Sequence, residues 1–185
     1  MPRPNWFFAF PIDGAFLAEL PPVPTSIRRY HPDDVHLTLA FLGGCGEESA
    51  LRALGVLDRE LGLGQLNAAD VSLAEVVPMG PKRRYSALSA LLGDGRAELT
   101  ATLDSLGGLL CEVANGRRPS RAAKPHVTLA RPRPRATDAA RLAGLAWAEE
   151  LNLSGVRARL DRIALFTWSE DRRERLFRVV EERRV

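Results

Sequence analysis

The sequence predicts an α+β fold built on antiparallel sheets. Three observations point there. Alternating strand-like segments are joined in several places by turns, and three longer segments with helical stripes stand between them. In addition, one strand-like stretch, His36-Leu37-Thr38-Leu39-Ala40, returns 90 residues later as His126-Val127-Thr128-Leu129-Ala130.

Trp6 to Ile12 is apolar on both alternating faces and ends by Pro11, as a buried strand does. A short helical turn through Ala15-Phe16-Leu17 follows, and Pro21, Pro22 and Pro24 mark a loop. The first His-Thr strand runs from about Val35 to Leu42 and stops at Gly43-Gly44. Glu47 to Leu61 reads as a helix. Leu51, Leu54, Leu57 and Leu61 form its stripe, acids fill its first turn, and Gly62 and Gly64 end it. Val71, Leu73 and Glu75 begin a strand, Pro78-Met79-Gly80-Pro81 turns the chain, and Arg84 to Leu92 returns as a hairpin partner.

Asp94 stands where it can cap a helix over Arg96 to Ala114. The stripe there is Leu99, Leu103, Leu106, Leu110 and Val113, weakened at Gly107-Gly108. The polar, Arg-rich linker Asn115 to Ala123 delivers the chain to the second His-Thr strand, which ends where Pro132 and Pro134 withhold backbone donors. Thr137 to Glu149 is a third helix resting on Leu142 and Leu145. Beyond Leu151 the chain returns to strand. Val156, Ala158 and Leu160 share one parity and Ile163 and Leu165 the other, a slip that predicts a bulge near Asp161-Arg162. Ser169-Glu170-Asp171 turns into a last strand, Arg175 to Glu182.

A chain of 185 residues is large enough for one core, so a single domain over 1–185 is the expectation. No apolar run approaches the roughly 20 residues that span a bilayer. The N-terminus has no h-region with a cleavage site, so a cytoplasmic location is expected, with no membrane partner. Cys45 and Cys111 stand alone, without metal-ligand spacing, which fits a reduced cytosolic protein. The net charge of +3 is compatible with a polyanionic partner without requiring one. Of the 26 basic residues only Lys82 and Lys124 are lysine. The excess of Arg follows a general richness in Arg, Ala, Gly and Leu. Locally, Lys82-Arg83-Arg84 and the series Arg117, Arg118, Arg121, Lys124, Arg131, Arg133, Arg135 are candidate phosphate-facing patches.

Strand alternation places His36, Thr38 and Ala40 on one face and Leu37, Leu39 and Phe41 on the other; the second copy repeats this. A single His-x-Thr on an apolar strand reads as a core histidine. Two of three histidines, each with one of only seven threonines two residues on, do not. The third, His31, precedes Pro32 and is assigned to a loop without a role. Imidazoles titrate near neutrality, so one ring can accept a proton while the other donates one, each contributing about 10²–10⁴-fold. That suits displacement at phosphorus, where a water loses a proton and a leaving oxygen gains one. Thr38 and Thr128 can hydrogen-bond the non-bridging oxygens, and Arg131 can neutralise the charge on them. Strict alternation puts Arg131 on the face opposite His126, so a twist or bulge before Pro132 is needed to re-aim it. Two His without accompanying acid or thiol ligands make a poor metal site, so no metal and no cofactor is expected.

The paired segments His36-Leu37-Thr38-Leu39 and His126-Val127-Thr128-Leu129 resemble the twin motifs of the two-histidine (2H) phosphoesterases. Within that superfamily the chain is most similar to the RNA 2′,3′-cyclic phosphodiesterases long described as 2′–5′ RNA ligases. The aromatic opening Trp6-Phe7-Phe8-Ala9, the run His36 to Gly44, the segment Lys124 to Arg131 and the closing Ile163 to Ser169 carry the resemblance across nearly the whole chain. It implies a bilobal fold, two antiparallel sheets related by a pseudo-twofold around a central cleft, with one His-Thr strand on each side and helices outside. It also implies a substrate, RNA with a terminal 2′,3′-cyclic phosphate, such as a tRNA fragment or other cleaved RNA, opened to a 2′-phosphate. His36 would be the proton donor to the 3′ oxygen and His126 the proton acceptor from water, with Thr38, Thr128 and Arg131 holding the phosphate.

Phe41, Tyr85 and Trp168 are candidates for stacking on the terminal base, against the ordinary use of aromatics as core. Other uses of the same site are a 2′–5′ RNA ligase, a phosphodiesterase for small cyclic or 2′,5′-linked nucleotides, and an RNA-end-binding module without turnover. Nothing in the sequence demands an oligomer, and a monomer is expected.

Overall fold

The computed structural model describes residues 3–185. Its sheet grows outward from the two His-Thr segments. In chain order the strands are β1 (Trp6–Pro11), β2 (Ile27–Arg29), β3 (His36–Gly43), β4 (Ala69–Met79), β5 (Ala87–Leu92), β6 (His126–Pro132), β7 (Arg157–Leu160), β8 (Arg162–Trp168) and β9 (Phe177–Arg184). They form one sheet in the order β7-β4-β5-β6-β3-β1-β8-β9, with β2 added beside β6, and the pairings are antiparallel. The two antiparallel sheets expected are thus two halves of one sheet, each with its His-Thr strand innermost.

The halves meet at a single register pair, Leu37 opposite Val127, the aliphatic residue of each motif. A local twofold runs between directly opposed residues of an antiparallel pair, so His36 and His126 stand at equivalent offsets from it. Three residues further along, the same edge of β6 is taken by β2, with Arg29 opposite Ala130. The two motif strands therefore part immediately beyond their shared pair.

Helices cover the other face. The first, α1 (Glu47–Gly62), buries Ala50, Ala53, Leu54 and Leu57, while Leu51, assigned to its stripe from the sequence, is exposed. Small alanines let the helix approach closely, and a stripe drawn through leucines alone is rotated by one position. The helix expected over Arg96 to Ala114 comprises α2 (Arg96–Thr102), a π-helical turn (Leu103–Gly107) and α3 (Gly108–Asn115). Gly95, not Asp94, occupies its N-cap; the Asp94 amide instead donates to Ser72 Oγ at 2.8 Å. Gly107 is required by close approach, because a Cβ there would lie 2.3 Å from the carbonyl oxygen of Leu39.

The last helix, α4 (Asp138–Glu149), is capped by Thr137 and buries Gly144, Trp147 and Ala148, leaving Leu142 exposed and Leu145 half-buried. The slip near Asp161-Arg162 is not a bulge. The chain changes edges there: β7 pairs β4 on one flank while β8 pairs β1 and β9 on the other. The loop read at Pro21 to Pro24 is followed by the short β2 and by a 3-10 turn, Pro32–Asp34. Among the described residues no helix is long and apolar enough to cross a membrane.

Candidate active site

Both motif strands carry the same irregularity. Ala9 lies opposite Thr38 and Phe8 opposite Ala40, so Leu39 is an extra residue in β3. Ser89 lies opposite Thr128 and Leu88 opposite Ala130, so Leu129 is an extra residue in β6. Directly opposed residues share a face. Each bulge therefore leaves His and Thr on one face and moves the following Ala to the apolar face, contrary to strict alternation. Burial follows this twin pattern, since Leu37, Leu39 and Ala40 are buried, as are Val127, Leu129 and Ala130, while the four His and Thr residues are partly open. One further consequence is that Arg131 comes round to the face of Thr128, as the sequence required of it. Phe41 comes round likewise and stands 58% exposed.

The two histidines are held alike. His36 Nδ1 is 2.7 Å from the carbonyl oxygen of Asp34, and His126 Nδ1 is 2.7 Å from that of Lys124. A carbonyl only accepts, so Nδ1 carries the hydrogen in each ring and Nε2 is left free. A ring held this way accepts a proton at Nε2 when neutral and donates one from it when charged.

Their surroundings differ. The His36 ring sits 4.9 Å from Phe7, 5.7 Å from Phe166 and 5.5 Å from Phe177, the last edge-on. Loss of solvation in this aromatic enclosure lowers its pKa to about 4, and the charges of His126 and Arg131 push the same way. The hydrogen bond to Asp34 opposes this in part. His36 is therefore neutral at neutral pH.

Three contributors were not visible in the sequence reading. Tyr30 is buried, with its ring 6.5 Å from His36 and the Arg131 guanidinium 5.2 Å above it. Burial raises its pKa against the pull of Arg131 and Thr128, so it keeps its proton and remains a donor. Ser89 is buried and its hydroxyl is 3.1 Å from that of Thr128, which holds the Thr128 rotamer. Asp34 is 1% exposed and accepts the amides of Leu176 and Phe177 at 2.7 and 3.2 Å, tying the start of β9 to the turn that presents His36. A lone polar residue in the apolar run Ala87 to Leu92 was a usable signal for Ser89; Tyr30 and Asp34 offered none.

Of the aromatic candidates for stacking, Phe41 is open, whereas Trp168 is half-buried with the Arg172 guanidinium 4.3 Å above its ring. Tyr85 is core. It is 1% exposed, donates to the Arg141 carbonyl at 2.9 Å and packs with Ile27, Leu88 and Trp147, so no face of it is free for a base. Lys82-Arg83-Arg84 lies in an exposed turn and Arg118 pairs with Glu112 at 2.6 Å, whereas Arg131, Arg133 and Arg135 line a common pocket. Among the described residues no three His, Cys, Asp or Glu side chains are placed to hold a metal ion.

Compared as a sequence, the chain matches no family model and no curated protein. Compared as a structure, it is similar to TT0787 of Thermus thermophilus, at 22% identity and a TM-score of 0.67 over 96% of each chain. It is similar to E. coli LigT complexed with 3′-AMP, at 20% identity and a TM-score of 0.61, over 100% of this chain and 99% of that one. A phosphoesterase of known structure is similar at 18% identity and a TM-score of 0.64, over 98% of each chain. What these proteins share with the chain is the fold.

Proposed function

We propose that the chain is a metal-independent 2H phosphoesterase that opens the 2′,3′-cyclic phosphate at the end of an RNA to leave a 2′-phosphate. The observation that carries this reading is the matched pair of imidazoles. Each is oriented by its own carbonyl two residues upstream, each keeps Nε2 free, and the two stand about a local twofold on strands that part beyond it. A fold shared with a protein that binds 3′-AMP, a phosphate on a ribose 3′ oxygen, supports it.

In the reaction, water forms the new P–O bond and gives its proton to Nε2 of one histidine. The P–O3′ bond breaks, and Nε2–H of the other histidine protonates O3′. Thr38 and Thr128 donate to the non-bridging oxygens, with Ser89 fixing the Thr128 hydroxyl. Tyr30, as a neutral phenol, and Arg131 supply further donors and positive charge beside them. His36 as donor requires that a bound phosphate anion restore the proton that desolvation disfavours; the anion's negative charge acts in that direction. The lowered pKa of His36 favours a second assignment, with His36 as acceptor and His126 as donor.

One experiment tests both levels. In EDTA, a 2′,3′-cyclic-ended oligonucleotide should be converted to a 2′-phosphate, and His36→Ala or His126→Ala should each lower the rate about 10²–10⁴-fold. Undiminished turnover by the double variant would sink the reading. Nitrophenolate departs from a nitrophenyl phosphodiester without needing a proton, so the variant lacking the donor should recover on that substrate and the variant lacking the acceptor should not.

A further inference from the structure

At the end of β6 lies a pocket of about 380 Å³ lined by Arg28, Arg131, Arg133, Arg135, Arg141 and Arg172, with no carboxylate in its wall. Some arginines elsewhere, Arg52, Arg159 and Arg183 among them, pair with acids. Among the described residues none of these six does.

Two of the six are fixed without being neutralised. Arg28 donates to the carbonyls of Arg172 and Arg173 at 3.1 and 2.8 Å, and Arg141 to that of Tyr85 at 2.7 Å. Carbonyls orient a guanidinium but leave its charge. Across the β2–β6 pairing Arg28 stands directly opposite Arg131, and like charges so placed destabilise a sheet. Arg131 Nε is buried with no hydrogen-bond partner. An unpaired buried donor also costs stability. A bound polyanion relieves the repulsion between the guanidinium groups, and planar guanidinium forks suit phosphate oxygens.

Arg131 belongs to this pocket and to the catalytic face at once: its charge is felt at His36 and its guanidinium covers Tyr30. A phosphate in the pocket is therefore near the reacting phosphate. We propose that the pocket holds backbone phosphates of the RNA strand just 5′ of its reacting end, which makes RNA ends, rather than cyclic mononucleotides, the preferred substrate. The placement of the strand rests on the catalytic reading above.

The test is binding of a labelled oligonucleotide ending in a 2′-phosphate, measured by fluorescence anisotropy across a range of salt. Arg133→Gln/Arg135→Gln should weaken binding about 10-fold at low salt and flatten the salt dependence by about 1.4 in log–log slope, two phosphate contacts at about 0.7 each. The ratio of kcat/KM for the cyclic-ended oligonucleotide to that for a cyclic mononucleotide should fall similarly. Arg52→Gln/Arg59→Gln, on the exposed side of α1, removes the same charge and should leave binding within about two-fold. Equal losses from both pairs, or no loss from either, overturn the pocket. Because the binding readout needs no turnover, an inert protein that binds through Arg133 and Arg135 sinks the catalytic reading alone. Turnover with binding indifferent to those two residues sinks the pocket alone.

Discussion

His36 is the residue whose surroundings most change its chemistry. Three phenylalanine rings and Tyr30 surround it, and this enclosure holds its folded pKa at about 4, against 6.5 for the free side chain. Between those values the unfolded chain binds the proton and the folded chain does not. Stability is therefore full above about pH 6.5 and declines as pH falls toward 4, a loss of about 3 kcal/mol when complete. Urea unfolding of the native chain and of His36→Gln, followed from pH 7 to 4.5, should show the native curve falling more steeply. Parallel curves would mean that the ring is more solvated than its neighbours imply. On the proposed reading with His36 as donor, a bound phosphate anion has to offset this desolvation for the ring to carry its proton.

At the scale of elements, the active face is made by what interrupts the strands. Were β3 and β6 regular through Leu39 and Leu129, Arg131 would point away from His126 and Ala40 would share a face with Thr38. The bulge in β3 is braced from behind by the helix turn at Gly107, whose missing side chain lets the helix reach the Leu39 carbonyl. Gly107→Ala forces either the helix or the bulge to move. A cost of about 1–3 kcal/mol is expected from such overpacking. If the bulge yields, Thr38 moves with it, and turnover should fall in molecules that remain folded. A variant with native unfolding midpoint and native rate would show that the contact is slack.

For the whole molecule, the question is whether two halves joined by one register pair behave as one body. They share a core. A single cluster of buried side chains includes Phe8, Leu37 and Leu165 from one half with Val71, Leu92 and Val127 from the other. Trp6 reports on the first half and Trp147 on the second. In urea their transitions should coincide, as a single cooperative unit requires. Separate midpoints would mark two independent lobes. Leu37 is fully buried at the seam, and Leu37→Ala should lower both midpoints together, at a cost of about 2–5 kcal/mol.

The sequence by itself determined the antiparallel α+β class, the helices and every strand but the short β2 to within a few residues, and both catalytic candidates. Those rest on local periodicity and on a repeat of residue types that survives in one dimension. It misplaced the helix stripes at Leu51 and Leu142, because close packing is set by small residues that carry little hydrophobic signal. Only the tertiary structure decided that Asp161 separates strands on opposite flanks of the sheet, that Tyr30, Asp34 and Ser89 join the site, and that Tyr85 is core. It also decided which way Arg131 points and gathered six arginines around one pocket. Each of these depends on which segments become neighbours across the sheet, and pairing between residues far apart along the chain leaves no local pattern to read.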